Sequence, residues 1–101
     1  MSSDGAEPSR AAVLTRCVTV PNKRGLHARA AAKFVTLAER FGASVEVCRD
    51  GQSVSARSIM GLMMLGAGQG ATLALRAEGW DAKEAMDALA ELVESGFHEQ
   101  D

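Results

Sequence analysis

The sequence predicts an α+β fold in which three helices pack on one face of a single β-sheet. Four stretches have the alternation and the β-branched residues of strands, and three have apolar residues at helical spacing, in the order β-α-β-β-α-β-α. With 101 residues, of which 47% are apolar, the chain has the length and composition of one folded domain. Helices and one sheet in this order suggest two layers, while the order alone leaves the arrangement of the strands open.

The N-terminal region divides at about residue 12. Residues 1–12 are small, polar and without pattern, so we expect a disordered tail, followed by a folded domain over residues 13–101. Residues 13–20 are rich in β-branched side chains and predict a strand. Residues 21–27 contain Pro21, Asn22 and Gly25 and predict a loop.

A helix and a hairpin are predicted next. Residues 28–41 have helical spacing of apolar side chains, and Gly42 is expected to end this helix as its C′ residue. Residues 43–49 and 52–56 predict two strands, joined by Asp50-Gly51, a strong hairpin signal.

The last three elements follow a short apolar segment. Residues 59–65 predict a short helix with Ser58 as its N-cap. The glycines at 66, 68 and 70 indicate a turn, and residues 71–78 alternate as a strand does. Residues 82–95 predict the final helix, with Asp81 and Glu84 in a capping-box-like arrangement and Gly96 at its end.

Composition excludes several classes of protein. No apolar run reaches the roughly 18 residues of a membrane span, and the N-terminus lacks the apolar region of a secretory signal. Cys17 and Cys48 have no metal-ligand spacing, so we interpret them as small buried side chains in a reducing cytoplasm and expect no metal site. Scarce aromatic residues and a net charge of −2 argue against nucleic-acid binding.

Charge is unevenly distributed along the sequence. Residues 13–60 contain eight Lys or Arg and three Asp or Glu, whereas residues 61–101 contain two and eight. Two interpretations stay open: a positive surface around His27 that attracts an acidic partner or a phosphate, or two ordinary solvated faces.

His27 is the candidate functional residue, because it leads directly into a predicted helix. The first N–H groups of a helix, here those of Ala28 and Arg29, have no acceptor within the helix and favour anions. The Arg29 guanidinium suits phosphate oxygens, and a histidine ring can form a covalent intermediate. From spacing alone, an exposed capping residue is the alternative.

Two segments resemble the signatures of the histidine-containing phosphocarrier (HPr) family of the phosphotransferase system. Residues 25–31, GLHARAA, resemble the active-site pattern G-[LIM]-H-x-R-P-A, and residues 56–62, ARSIMGL, resemble the pattern around the family's regulatory serine. The resemblance spans about residues 13–98, and the loop 22–25 and the ending 95–97 look closest to the nitrogen-related NPr branch. Ala30 departs from the pattern, which usually has proline there.

The resemblance implies a fold and an activity. The fold would be an open-faced two-layer β-sandwich with a four-stranded antiparallel sheet. Enzyme I, charged by phosphoenolpyruvate, would phosphorylate His27 at Nδ1, and the group would pass to the A component of an Enzyme II, with Arg29 assisting. The protein would be a cytoplasmic, monomeric carrier without a cofactor, not an enzyme, and chiefly regulatory. The alternatives are a sugar-uptake carrier and, from another class, a small ligand- or nucleic-acid-binding α/β module.

The resemblance also assigns roles around Ser58. Ser58 would be a regulatory phosphorylation site as well as an N-cap, which implies a serine kinase or phosphorylase as a further partner. Ile59, Met60 and Met63, with Arg24, would form a docking surface, because a helix that is apolar almost all round cannot bury every side chain. Lys33, Arg40 and Arg57 would frame it. The alternative for the apolar residues is packing in the core, and for each cation a solvated charge.

Overall fold

The computed structural model describes residues 13–99, so the predicted tail over residues 1–12 lies outside the described residues. Four strands and three helices follow one another in the predicted order. Their bounds are β1 Leu14–Thr19, α1 Ala28–Ala38, β2 Ser44–Arg49, β3 Gln52–Ser55, α2 Ile59–Met64, β4 Thr72–Glu78 and α3 Ala82–Glu94.

The four strands form one antiparallel sheet in the order β1-β4-β2-β3. Strand β4 pairs with β1 on one side and with β2 on the other, and β3 completes the hairpin with β2. Asp50 and Gly51, with φ values of 50° and 82°, form the predicted turn of this hairpin. The predicted fold class, including the four-stranded antiparallel sheet, is therefore confirmed.

The core lies between one face of the sheet and the three helices. Along the strands, buried residues alternate with exposed ones, because successive side chains point to opposite faces; Leu73, Leu75 and Ala77 of β4 are buried and their neighbours are not. The largest fully buried side chains come from both layers: Phe34, Phe97, Leu62, Leu73, Leu75, Leu89, Val20, Val47 and Val93. None of the described helices has the length and apolar character that crossing a bilayer requires.

Both cysteines lie on the open face of the sheet, so the prediction that they are buried was wrong. Cys17 is exposed and Cys48 is partly buried, and each is the register partner of Ala74 from an opposite side. Their neighbours Val18 and Val47 occupy the helix-facing positions instead. A one-residue difference in the phase of alternation decides which side chain is buried.

The connection after α1 also differs from the prediction. The helix ends at Ala38 with Glu39 as its C-cap, and Gly42 does not have a positive φ, so it is not a C′ residue. Gly42 and Ala43 donate backbone N–H bonds of 2.9 and 2.8 Å to the buried carboxylate of Asp81. Because that carboxylate turns towards this connection, it does not cap α3, and the predicted capping box is absent.

The end of α3 turns the chain back towards the loop that carries His27. Gly96, predicted to end this helix, has a φ of 69° and donates to Val93 O, while the Phe97 N–H donates to Leu92 O. These two bonds are those of a Schellman motif. Phe97 is fully buried, which fixes the position of the residues that follow it.

Candidate functional site

The loop before α1 is held against the segment that precedes β4. Leu26 donates its N–H to Ala67 O at 2.9 Å, and Gly25 has a φ of 66°. A β-carbon on Gly25 would stand 2.4 Å from Ala67 O, so the close approach of the two segments requires glycine there.

A second set of bonds anchors the start of the same loop. Gly70 donates to Val20 O at 2.7 Å, Val20 donates to Ala71 O at 2.9 Å, and the Gln69 side chain donates to Pro21 O. The glycines at 66, 68 and 70 thus belong to a turn, as predicted, and this turn supports the loop that carries His27.

His27 occupies the N-cap position of α1. Its backbone is extended, with φ −78° and ψ 179°, and its carbonyl accepts the Ala31 N–H at 2.8 Å. Its side chain makes no capping bond. Ala28 and Arg29, both exposed, begin the helix directly after it, so the predicted juxtaposition of His27 with a helix start is present.

The His27 ring is bonded instead to Glu99, which sequence reasoning missed. Nε2 of His27 and Oε2 of Glu99 form a hydrogen bond, and their side chains are only 15% and 13% exposed. Glu99 Oε1 accepts from the Asn22 amide at 2.9 Å, and the same amide nitrogen donates to Gly25 O at 3.0 Å. Two loop residues and the C-terminal segment therefore meet at His27.

The surroundings of Glu99 favour its ionised form. Burial raises the pKa of Glu99, but the hydrogen bonds from His27 and Asn22, together with electrostatic attraction to His27 and Arg24, more than offset this effect. The pKa of Glu99 is consequently below its ordinary value. The acidic half of the sequence thus contributes a carboxylate to the surroundings of His27, which lies in the basic half.

Cationic side chains line a shallow groove beside the site, between α1 and the end of α3. The polar residues of its lining are Arg29, Lys33, Thr36, Arg40 and His98, and the apolar ones are Ala32, Leu37 and Leu92. Lys33 Nζ donates to Phe97 O at 2.8 Å, which fixes the C-terminal segment to α1. Arg29 itself is exposed to solvent.

Ser58 is the N-cap of α2, as predicted. Its backbone is extended, and its hydroxyl accepts the Gly61 N–H at 2.9 Å. The adjacent Arg57 side chain donates to Phe41 O at 2.7 Å, which binds it to the connection after α1.

The short helix α2 exposes most of its apolar side chains. Met60 and Met64 are 70% and 74% exposed, and Ile59 and Met63 about 40%. Only Leu62 within the helix is fully buried. The exposure predicted for Ile59, Met60 and Met63 is confirmed, and Met64 belongs to the same surface.

Comparisons with known proteins agree with these features. A family model described as the phosphorylation site of the PTS HPr component matches residues 14–95. Phosphocarrier protein HPr of Cupriavidus necator is 51% identical over 86% of this chain and 98% of its own. Phosphocarrier protein NPr of Shewanella violacea is 45% identical over 85% and 94%. The crystal structure of HPr-C-His from Thermoanaerobacter tengcongensis superposes with a TM-score of 0.82 and 46% identity, covering 86% of this chain and 98% of that one.

Proposed function

This chain belongs to the HPr family of phosphocarrier proteins, and from that premise we propose that it carries a phosphoryl group on His27. Enzyme I, charged by phosphoenolpyruvate, donates the group, and the A component of an Enzyme II receives it. The family consists of carriers, so the protein is a substrate of its partners and not itself an enzyme.

The position of His27 is the observation that carries this proposal. The residue lies in the N-cap position of α1, where the N–H groups of Ala28 and Arg29 have no acceptor within the helix. A phosphoryl group on the ring would meet these donors and the positive end of the helix dipole. The ring is partly exposed, so a partner protein can reach it.

In the transfer, Nδ1 of His27 attacks phosphorus while the bond from phosphorus to the donor nitrogen of Enzyme I breaks. Charge is spread over the three equatorial oxygens of the moving group. Arg29, two residues along α1, supplies a guanidinium that balances this charge. The same groups act in reverse when the phosphoryl group leaves for the next protein.

The test is phosphorylation of the purified protein by phosphoenolpyruvate and Enzyme I. We expect an acid-labile, base-stable phosphate that is absent from His27→Ala. His98→Ala is the matched control, because His98 is the other of the two histidines and is exposed. A label that persists in His27→Ala, or that depends on His98, would contradict the proposal.

Arg29 is expected to affect rate and not the site of modification. Arg29→Ala should retain the label on His27 but slow its appearance about 10- to 100-fold, because one stabilising cation is lost from the transition state. Arg76→Ala, which removes an exposed cation paired with Glu46 on the open face, is the control. Rapid-quench phosphorylation by Enzyme I measures both, and equal rates for the two variants would remove Arg29 from the mechanism.

Ala30 stands where the family pattern has proline. Proline would preset the first turn of the helix and remove one N–H, whereas Ala30 retains the N–H and is fully buried. We propose that the chemistry persists and that the lifetime of the phosphohistidine differs from that in proline-containing relatives.

We place the protein in the nitrogen-related branch, as a cytoplasmic, monomeric carrier with a chiefly regulatory role. Support comes from the NPr-like loop 22–25 and from the 45% identity to an NPr. Sugar uptake is the alternative, supported by the 51% identity to an HPr. Incubation of the phosphorylated protein with a nitrogen-type and a sugar-type A component distinguishes them, since faster transfer to the sugar-type component would favour uptake.

A further inference from the structure

We propose that Glu99 is a positioning residue that keeps the proton of the neutral His27 ring on Nε2 and leaves Nδ1 as the nucleophile. The inference rests on the proposed function of His27 and explains why one of its two ring nitrogens would receive the phosphoryl group. It depends on a contact between residues 72 positions apart in the sequence.

The first step is the direction of the hydrogen bond between the two side chains. An ionised carboxylate can only accept hydrogen bonds, so the bond from His27 requires a hydrogen on Nε2. The neutral ring carries one hydrogen, and the lone pair on Nδ1 is therefore free. The lowered pKa of Glu99 supports the ionised form of the carboxylate.

The second step is that Glu99 is itself fixed. Asn22 is 4% exposed, and its amide nitrogen donates both to Glu99 Oε1 and to Gly25 O. Both partners are acceptors, which determines the orientation of the amide. On the other side, the burial of Phe97 and the bond from Lys33 to its carbonyl hold the segment that carries Glu99.

The third step concerns the phosphorylated state. When Nδ1 forms its bond to phosphorus, Nε2 keeps its proton and the ring becomes an imidazolium, whose positive charge faces the Glu99 carboxylate. When the Nδ1–P bond breaks, its electron pair returns to Nδ1 and the neutral ring is restored. No proton is gained or lost in either direction. A carboxylate that holds the Nε2 proton thus preserves a neutral imidazole as the leaving group.

The carboxylate does not occupy the reacting edge of the ring. Nε2 and Nδ1 lie on different edges of the imidazole, and the helix start is adjacent to His27 in sequence. Glu99 therefore binds the Nε2 edge of the ring and leaves the Nδ1 edge open, as the carboxylate partners of metal-bound and catalytic histidines bind the nitrogen that does not react.

The test uses the full chain in a His98→Ala background, so that His27 is the single histidine. In protein labelled with ¹⁵N-histidine, at a pH where the ring is neutral, we expect a low-field proton signal coupled to Nε2. Glu99→Gln removes the charge with little change in shape, and because a neutral amide oxygen is a weaker acceptor it should move this signal to higher field and slow phosphorylation by Enzyme I about tenfold. Glu94→Gln, which changes an exposed carboxylate at the end of α3, should leave both unchanged.

Circular dichroism and the melting temperature establish that the variants fold. The proposal is overturned if the Nε2 signal is absent from the parent protein, or if Glu99→Gln is phosphorylated at the parent rate. The two proposals fail separately. A parent protein that Enzyme I cannot phosphorylate contradicts the carrier function, whereas the proton signal still decides whether Glu99 holds the ring.

Discussion

Gly25 combines a positive φ with a close approach of the loop 21–27 to the turn before β4. A side chain there would have to adopt a left-handed conformation and to displace Ala67 O, which is a backbone atom and cannot rotate away. The position of His27, two residues later, depends on this approach.

Gly25→Ala should therefore lower the free energy of unfolding by about 2–3 kcal/mol, since backbone strain and a clash act together. Gly51→Ala is the matched control, because Gly51 also has a positive φ but nothing within 4 Å of its β-carbon position. It should cost about 1 kcal/mol from strain alone. Urea denaturation measures both, and equal losses would show that the approach of Ala67 is unimportant.

The lowered pKa of Glu99 gives a direction for the pH dependence of stability. A carboxylate whose pKa is lower in the folded state stabilises that state above its unfolded pKa, and the contribution is lost as the pH falls through the folded pKa. The protein should be more stable than Glu99→Gln near pH 6. This advantage should disappear on acidification below the ordinary glutamate pKa of about 4.3.

Urea denaturation of both proteins between pH 6 and pH 3 provides the comparison. The pKa of Asp87 is also lowered, chiefly by its hydrogen bond from Lys83, but this effect is common to both proteins and cancels. If the stability difference in favour of the parent protein over Glu99→Gln increased on acidification, it would contradict this prediction.

At single residues, the sequence predicted those parts of the site that are local. His27, Arg29 and the helix start lie within three positions, so spacing alone brings them together. Glu99 was not predictable, because only the tertiary structure joins it to His27. Gly96 was correctly predicted to end α3, but nothing in the sequence specified where the chain would go afterwards.

Among the three described helices, α2 is the one whose N-cap side chain accepts a hydrogen bond from the helix. A helix of six residues has little intrinsic stability. The hydrogen bond that the Gly61 N–H donates to Ser58 Oγ is therefore important for its stability. A carboxylate at position 58 can also accept the hydrogen bond from the Gly61 N–H, and the helix dipole favours its negative charge.

Ser58→Asp should leave the circular dichroism spectrum unchanged and slow phosphorylation of His27 by Enzyme I, because it adds a negative charge beside the exposed face of α2. Ser53→Asp introduces the same charge at an exposed position of β3 and should have a much smaller effect. The rate of label incorporation is the measurement. Unchanged incorporation into Ser58→Asp would rule out this form of regulation.

Element ends were harder to predict than the elements themselves. The apolar spacing of residues 28–41 continued through Phe41, but the helix stops at Ala38, and the carboxylate of Asp81 binds the connection that follows at Gly42 and Ala43. That interaction joins residues about 40 positions apart, so no local pattern contains it.

At the scale of the molecule, the apolar side chains of residues 13–99 that are at least 70% exposed lie in two separate places. One group is the exposed face of α2. The other is Trp80, 88% exposed, which follows the end of β4 that is remote from the loop 21–27. This separation allows the docking surface to be tested against an equally exposed control.

Met60→Ala should raise the KM of Enzyme I for this protein about five- to tenfold, because an exposed anchor is removed from the proposed interface. Its effect on stability should be small, since the side chain is 70% exposed. Trp80→Ala removes a larger apolar surface and should leave the KM unchanged. Steady-state phosphorylation assays measure both, and a larger effect from Trp80 would place the docking surface elsewhere.

The strand order could not be derived from the order of elements, because β1 and β2 are separated by the later strand β4. The resemblance to a known family supplied the antiparallel sheet that pattern alone left open. The open face of the sheet explains why the burial predicted for Cys17 and Cys48 was wrong. A sheet covered on one side buries every second residue of a strand, and the sequence does not indicate which of the two alternating sets contains these cysteines.

The central place of β4 has a consequence for synthesis on the ribosome. Before residues 72–78 have been translated, the β2–β3 hairpin is the one pair of strands that can form, and β1 has no neighbour. The nascent chain therefore leaves β1 without a strand partner until β4 has been translated. We expect the sheet to form late. Glu99, whose carboxylate contacts His27, should reach its place only after the sheet has formed.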